Sequence, residues 1–64
     1  MTLEDMAQET KDMADLEVYS EEDIKRLKEM EKIFNKLKDK EAEDLSDTDL
    51  SNLAGAYRDF VSYS

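Results

Sequence analysis

Apolar residues recur at every third or fourth position in three stretches of the chain, the periodicity of an amphipathic α-helix. The middle stretch is the most apolar. Wound at about 100° per residue, its apolar side chains fill nearly half of the circumference. They are Leu27, Met30, Ile33, Phe34 and Leu37. A face of this width predicts a central helix that contacts both of the other helices.

The two outer stretches differ in the quality of their apolar faces. The C-terminal stretch groups apolar residues, most of them large, on one side: Leu50, Leu53, Ala54, Tyr57, Phe60 and Val61. The N-terminal stretch has only a narrow strip: Leu3, Met6, Ala7, Thr10, Met13 and Ala14. Residues this small or flexible bury little area and pack with little specificity. We therefore expect the first helix to be the most weakly docked, and the one best able to bind something else.

Each stretch is preceded by the same helix-start motif. A hydroxyl residue (Thr2, Ser20 or Ser46) is followed three positions later by Asp, with apolar residues on both sides. The hydroxyl suits an N-cap, the acid can accept from the N–H of the cap residue, and the flanking apolar pair suits a hydrophobic staple. Three copies in 64 residues predict three helix starts.

These patterns together predict an all-α protein. We expect one small three-helix domain spanning residues 1–64, bundle-like and antiparallel, with helices at about 3–16, 21–42 and 47–63. The short connections favour antiparallel neighbours. No glycine marks the end of the first or second helix, so the C-terminal boundaries are the least defined.

Size and composition limit the stability of such a domain. A chain of 64 residues with no Cys and no His has neither disulfides nor the usual zinc sites to support a thin core. Oligomerisation or partner binding is therefore an expected source of extra stability. Folding only on binding is the alternative, since 42% of residues are charged. The apolar content of 39% and the three start motifs favour a folded domain.

Charge is arranged in blocks along the chain. Residues 1–23 hold nine acids and one base, net −8; residues 24–40 hold seven bases and three acids, net +4; residues 41–64 hold six acids and one base, net −5. A basic middle helix between two acidic ones would attract both of its antiparallel neighbours. Acids at the helix starts also suit the helix dipole.

Catalysis and cofactor binding have little support. The chain lacks the His and Cys that most often act as base, nucleophile or ligand, it has no glycine-rich phosphate loop, and 64 residues cannot easily enclose a dry pocket. A calcium loop starting at Asp47 would have Asn52 where glycine is needed and Arg58 where a bidentate Glu is needed. We therefore expect no enzyme activity, cofactor or metal.

The chain could be related to nucleic acid in two opposite ways, by binding it or by imitating it. Direct binding, as in a helix-turn-helix domain, is disfavoured because the basic block lies between acidic flanks and the third helix carries only Arg58 as a base. Mimicry is the better alternative, because the first helix has an acidic side formed by Glu4, Asp5, Glu9, Asp12 and Asp15. Carboxylates about 5–6 Å apart along a helix could imitate backbone phosphates.

The sequence thus predicts a small acidic, non-catalytic protein-interaction module with an accessory or regulatory role. In overall character it resembles small accessory proteins of bacteriophages and bacteria, a likeness that covers no motif and transfers no residue. The expected partner is a protein with a basic surface, and self-association through the first helix is a further expectation. The alternative is an acidic nucleic-acid mimic that inhibits a DNA- or RNA-binding protein.

The expected binding surface combines the apolar strip of the first helix, two acids that steer a basic partner, and aromatics expected to be exposed near the C-terminus. Its residues are Met6, Met13, Glu9, Asp12, Phe60 and Tyr63. No apolar run reaches the length of a membrane span, and the acidic N-terminus does not match a signal peptide. We expect a cytoplasmic protein, in the host cytoplasm if it is phage-encoded, without membrane contact.

Overall fold

The computed structural model describes residues 1–63. It contains three α-helices, α1 (Leu3–Asp15), α2 (Glu21–Leu37) and α3 (Asp47–Tyr63), with a short 3-10 turn (Ala42–Asp44) between α2 and α3. The described residues fill an elongated volume of 37 × 18 × 16 Å. The predicted all-α, three-helix architecture is confirmed.

All three hydroxyl N-caps are formed. The hydroxyl oxygens of Thr2, Ser20 and Ser46 accept from the backbone N–H groups three residues on, at 3.1, 3.2 and 3.0 Å. The reciprocal bond from the cap's own N–H to the acid is present at the starts of α1 and α3, both at 3.2 Å. At the start of α2 the acid, Asp23, instead accepts a bond from the Tyr63 hydroxyl.

Helix α2 ends at Leu37, five residues before the predicted end at 42. Leu37 is the last buried residue of this segment, and residues 38–44 are all exposed. Helical stability in proteins comes mostly from packing an apolar face, so further turns without buried residues gain little. The chain instead makes the 3-10 turn and enters α3.

Helix α2 lies in the centre, and both other helices pack against it in antiparallel directions. Arg26 and Asp23 near the start of α2 bond to Asp59 and Tyr63 near the end of α3. Five residues connect α1 to α2, and residues 4–11 of α1 line a groove with residues 31–38 at the end of α2, so the early part of α1 lies against the late part of α2. Helices α1 and α3 are therefore parallel to each other, and they make little backbone contact with one another.

The core is centred on Phe34, which is fully buried. Its ring meets the edge of Phe60 at a centroid distance of 6.0 Å and an interplanar angle of 88°, a favourable aromatic geometry. Helix α1 adds Met6, Ala7 and the buried Thr10. The Thr10 hydroxyl donates to the Met6 carbonyl at 2.7 Å, so this buried polar group is satisfied.

The connection between α2 and α3 is fixed by a buried carboxylate. Asp49 Oδ2 accepts from the Lys40 ammonium at 3.1 Å and from the Ser46 N–H at 3.2 Å. The hydrogen bond from the Lys40 ammonium holds the pKa of Asp49 below its ordinary value of 3.8, and the bond from the Ser46 N–H makes the next largest contribution. Burial acts in the opposite direction but is outweighed.

We expect Asp49→Asn to be less stable than the wild type at neutral pH and equally stable in acid. The pKa of Asp49 is lower in the folded state, so its contribution is present above its unfolded pKa and is lost as pH falls through its folded pKa. Urea unfolding of both proteins between neutral pH and acid measures this. Asp47→Asn, at an exposed acid of the same turn, is the control. A gap between wild type and Asp49→Asn that persists unchanged in acid would contradict the assignment.

Candidate functional site

The six residues expected to form one binding surface are distributed between the core and two separate surfaces. Glu9 and Asp12 are exposed on α1 as expected, and Met13 and Tyr63 are half-buried. Met6 and Phe60, only 8% and 5% exposed, belong to the core. The expectation that Phe60 is exposed is therefore wrong, and Met6 is covered within the chain.

The burial of Met6 and Phe60 has a common cause. Both belong to the apolar cluster around Phe34, to which α1 and α3 each contribute side chains. The periodicity gave α3 a broad apolar side, but it did not show which part of that side faces α2. The structure turns Ala56 and Phe60 inward and leaves Tyr57 outside.

Tyr63 is occupied by contacts within the chain. Its hydroxyl donates to Asp23 Oδ1 at 2.9 Å, and its ring meets the edge of Tyr19 at 5.7 Å. The hydrogen bond to Asp23 raises the pKa of Tyr63 above its ordinary value of 10.0, and burial adds to the effect. Nearby, Arg26 and Asp59 form an ion pair at 3.0 Å. These contacts make this end of the bundle a structural polar cluster.

The acids of α1 form the first exposed surface, the α1 acidic face: Glu4, Asp5, Glu9, Asp12 and Asp15. Within residues 1–63 the ion pairs are Arg26–Asp59 and Lys40–Asp49, so no base pairs with any acid of α1. Asp5 serves the N-cap of α1, and Asp12 accepts from the Gln8 amide at 3.0 Å. The carboxylates otherwise face solvent.

The position of two of these acids opposes the helix dipole. Asp12 and Asp15 lie in the last turn of α1, which contains no base. Negative charge near a helix C-terminus costs a few tenths of a kcal/mol to about 1 kcal/mol at an exposed site. The end of the α1 acidic face is thus unfavourable for local stability.

The exposed lysines of α2 form a second charged surface, comprising Lys25, Lys28, Lys32 and Lys36. None of them has an ion-pair partner within the described residues. Within residues 1–63, attraction between charge blocks therefore produces close contacts only between α3 and the segment 26–40. It produces none between α1 and α2, so most of the charge predicted to hold the helices together is displayed to solvent.

The third surface is a row of exposed apolar residues on α3, the α3 stripe: Leu50, Ala54, Tyr57 and Val61. Leu50, Tyr57 and Val61 are 49%, 51% and 55% exposed, and Ala54 is also exposed. Their spacing of four, three and four residues is that of the contact seam between two packed helices. Single exposed apolar residues are common on proteins, but a continuous row is a recognised feature of binding surfaces.

The stretch from Asp47 that resembles a calcium loop forms the first turns of α3, and its Asp49 is already bonded to Lys40 and Ser46. No cluster of three or more acidic side chains in residues 1–63 is suited to hold a metal ion. Over the same residues, no helix combines the length and the hydropathy required to cross a membrane.

The fold and these surfaces define a small three-helix domain with an acidic, a basic and an apolar exposed face. Comparison with protein-family models, with curated proteins and with solved structures finds no match to this chain.

Proposed function

We propose that this protein is a small, non-catalytic protein-interaction module whose partner has a basic surface that binds the α1 acidic face. The observation that carries the proposal is that the acids of α1 are exposed and have no base paired with them within residues 1–63. Charge that is not used to hold a fold together remains available to attract a partner.

The unfavourable position of Asp12 and Asp15 supports the proposal. Acids at the end of α1 reduce its stability through the helix dipole. Departures from local stability rules tend to occur at functional positions. Glu9 and Asp12 lie near the middle and end of this face, and we assign them the main part in steering the basic partner.

The alternative function is an inhibitory nucleic-acid mimic. Asp5, Glu9 and Asp12 follow one another along one side of α1, one turn apart and exposed. Neighbouring carboxylates in such a row are about 5–6 Å apart and could occupy a phosphate-binding groove. The partner would then be a DNA- or RNA-binding protein, and nucleic acid would compete with this protein for it.

We expect the double variant Glu9→Lys, Asp12→Lys to lose its partner while keeping its fold. Both side chains are exposed, and Lys at position 12 is favourable for the dipole, so α1 should be unchanged or slightly more stable. The measurement is capture from nuclease-treated lysate on the immobilised wild type and variant, with washes at low and high salt. The amount of partner retained by the variant should be lower by more than about tenfold, because charge repulsion replaces attraction at two sites.

The matched control is Glu41→Lys, Glu43→Lys, which changes the net charge equally at two exposed acids outside α1. Equal loss in both double variants would show that only net charge matters and would contradict a binding role for the α1 acidic face. Displacement of the captured protein by duplex DNA or by RNA would favour the mimic. Retention that nucleic acid does not affect would favour the interaction module.

A further inference from the structure

We infer that the α3 stripe and three acids of α1 (Asp5, Glu9 and Asp12, called the acidic row) form one docking surface for a basic amphipathic helix of the partner. Such a helix would lie between α1 and α3, on the side opposite α2, and complete a four-helix arrangement. This inference rests on the proposed function and adds the shape and chemistry of the segment that binds.

The two rows lie on the facing flanks of α1 and α3. One flank of α3 lines a groove against α2 through Ser51, Gly55 and Asp59. At about 100° per residue, Leu50 and Tyr57 lie on the other side of the buried Ala56 and Phe60 positions. The α3 stripe therefore occupies the flank that borders α1.

The same reasoning places the acidic row. The groove between α1 and α2 is lined on the α1 side by Glu4, Ala7, Gln8 and Lys11. Asp5 and Glu9 lie on the opposite flank of α1, beyond the core residue Met6. That flank borders α3, so the acidic row and the α3 stripe look out over the same side of the molecule.

The two rows are also level with each other along the bundle axis. The groove between α1 and α2 sets residues 4–11 of α1 against residues 31–38 at the end of α2, and Arg26 is paired with Asp59 between α2 and α3. These registers place Asp5 level with Leu50, and Asp12 level with Tyr57, to within about one turn. An apolar row and an acidic row thus run side by side for about three turns.

A fourth helix would pack where α1 and α3, which both pack on α2, make little backbone contact with each other. The spacing of the α3 stripe matches the seam that one helix presents to another. A helix-in-groove interaction uses an amphipathic helix with apolar anchors at such intervals.

The negative charge of the acidic row determines which kind of helix can bind to this surface. A helix lying on this surface places one flank on the α3 stripe and the other against the acidic row, so its second flank has to be basic. A second copy of this chain carries a net charge of −9, and within residues 1–63 the exposed lysines of its α2 are not accompanied by exposed large apolar residues on that helix. A basic amphipathic helix is complementary to both rows, and like charges across an interface are strongly disfavoured.

The test uses a synthetic peptide of about 18 residues, one helix length of α3, made of Leu and Lys with Leu on one face and Lys on both flanks. The protein contains no Trp, so one Trp on the apolar face of the peptide gives a fluorescence signal that reports burial. We expect saturable binding with a blue shift. A peptide of the same composition in scrambled order should bind at least about tenfold more weakly, because it has no continuous apolar face.

Two protein variants assign the site. Tyr57→Lys places a charge in the centre of the α3 stripe and should weaken binding by about tenfold or more, as for a central aromatic of an interface. Ser62→Lys adds the same charge at an exposed residue of α3 outside the stripe and should weaken binding by less than about threefold. Circular dichroism of both variants verifies that the helices are intact.

Equal weakening by both substitutions, or equal binding of the scrambled peptide, would overturn the docking surface. If Glu9→Lys, Asp12→Lys loses the cellular partner while Tyr57→Lys retains it, the inference fails and the proposed function stands. If neither variant loses it, both fail. Analytical ultracentrifugation of the protein alone tests for self-association. A dimer that Tyr57→Lys abolishes would assign the α3 stripe to a second copy and overturn the inference.

Discussion

Phe34→Ala is expected to unfold this protein or leave it only partly folded at room temperature. Phe34 is fully buried, and its ring packs against Phe60 of α3 within the cluster that joins all three helices. Removing a buried aromatic ring costs about 3–5 kcal/mol, from lost burial and from the cavity left behind. A domain of this size has a total stability of only about 3–10 kcal/mol, so the loss removes between about a third and all of it.

Urea unfolding followed by circular dichroism measures this effect. Tyr57→Ala is the matched control, because it removes an aromatic ring from the half-exposed side of the same bundle. Its cost should be about 0.5 kcal/mol or less, as for other surface substitutions. A cooperative transition for Phe34→Ala within 1 kcal/mol of the wild type would mean that the core is not centred on this residue.

Met6→Asp is expected to have the second largest effect, releasing α1 from α2 at neutral pH. The Met6 side chain is 8% exposed and lies in the apolar cluster, so a carboxylate there has no polar partner. Loss of the buried Met costs about 2–5 kcal/mol, and an unpaired buried charge adds to this. Because a buried acid is stabilised in its neutral form, the defect should diminish as the pH is lowered.

Hydrogen exchange of the α1 amides measures this release directly, and Met6→Leu is the control. Leu has a similar volume and is apolar, so Met6→Leu should cost less than about 1.5 kcal/mol. Unchanged exchange in Met6→Asp would show that α1 is not held by Met6. The burial of Met6 also means that its substitution cannot test a binding surface without disturbing the fold.

The helix starts could be predicted because they depend on local chemistry. Thr2, Ser20 and Ser46 each sit three residues before an Asp, and every one of these hydroxyls caps its helix. The end of α2 at Leu37 could not be predicted in the same way. No glycine or proline marks it, and the helix stops where its buried residues stop.

The side of α3 that faces α2 could not be predicted from the sequence. Phe60 and Tyr57 both lie on its apolar side, and periodicity alone does not say which one is buried. The rotation of α3 about its axis depends on long-range contacts, Arg26 with Asp59 and Tyr63 with Asp23. The sequence-based site therefore included Phe60, which is in the core, and omitted Tyr57, which is exposed.

The exposed acids of α1 were easier to predict than the apolar part of the candidate site. Glu9 and Asp12 lie opposite a narrow apolar strip, so any docking of that strip leaves them in solvent. The four-three-four spacing of the α3 stripe was present in the sequence from the beginning. The spacing alone does not mark a binding surface; the burial of Ala56 and Phe60 in the core leaves the stripe exposed.

The contact between Asp23 and Tyr63 joins residues that are 40 positions apart. During folding, α1 and α2 can pair as a helical hairpin before α3 docks, since their contacts are close in sequence. That hairpin leaves Phe34 without the ring of Phe60, its aromatic neighbour in the finished core. A chain in which α3 has not yet docked therefore exposes part of its main apolar cluster, which makes the hairpin the folding stage most open to aggregation or chaperone binding.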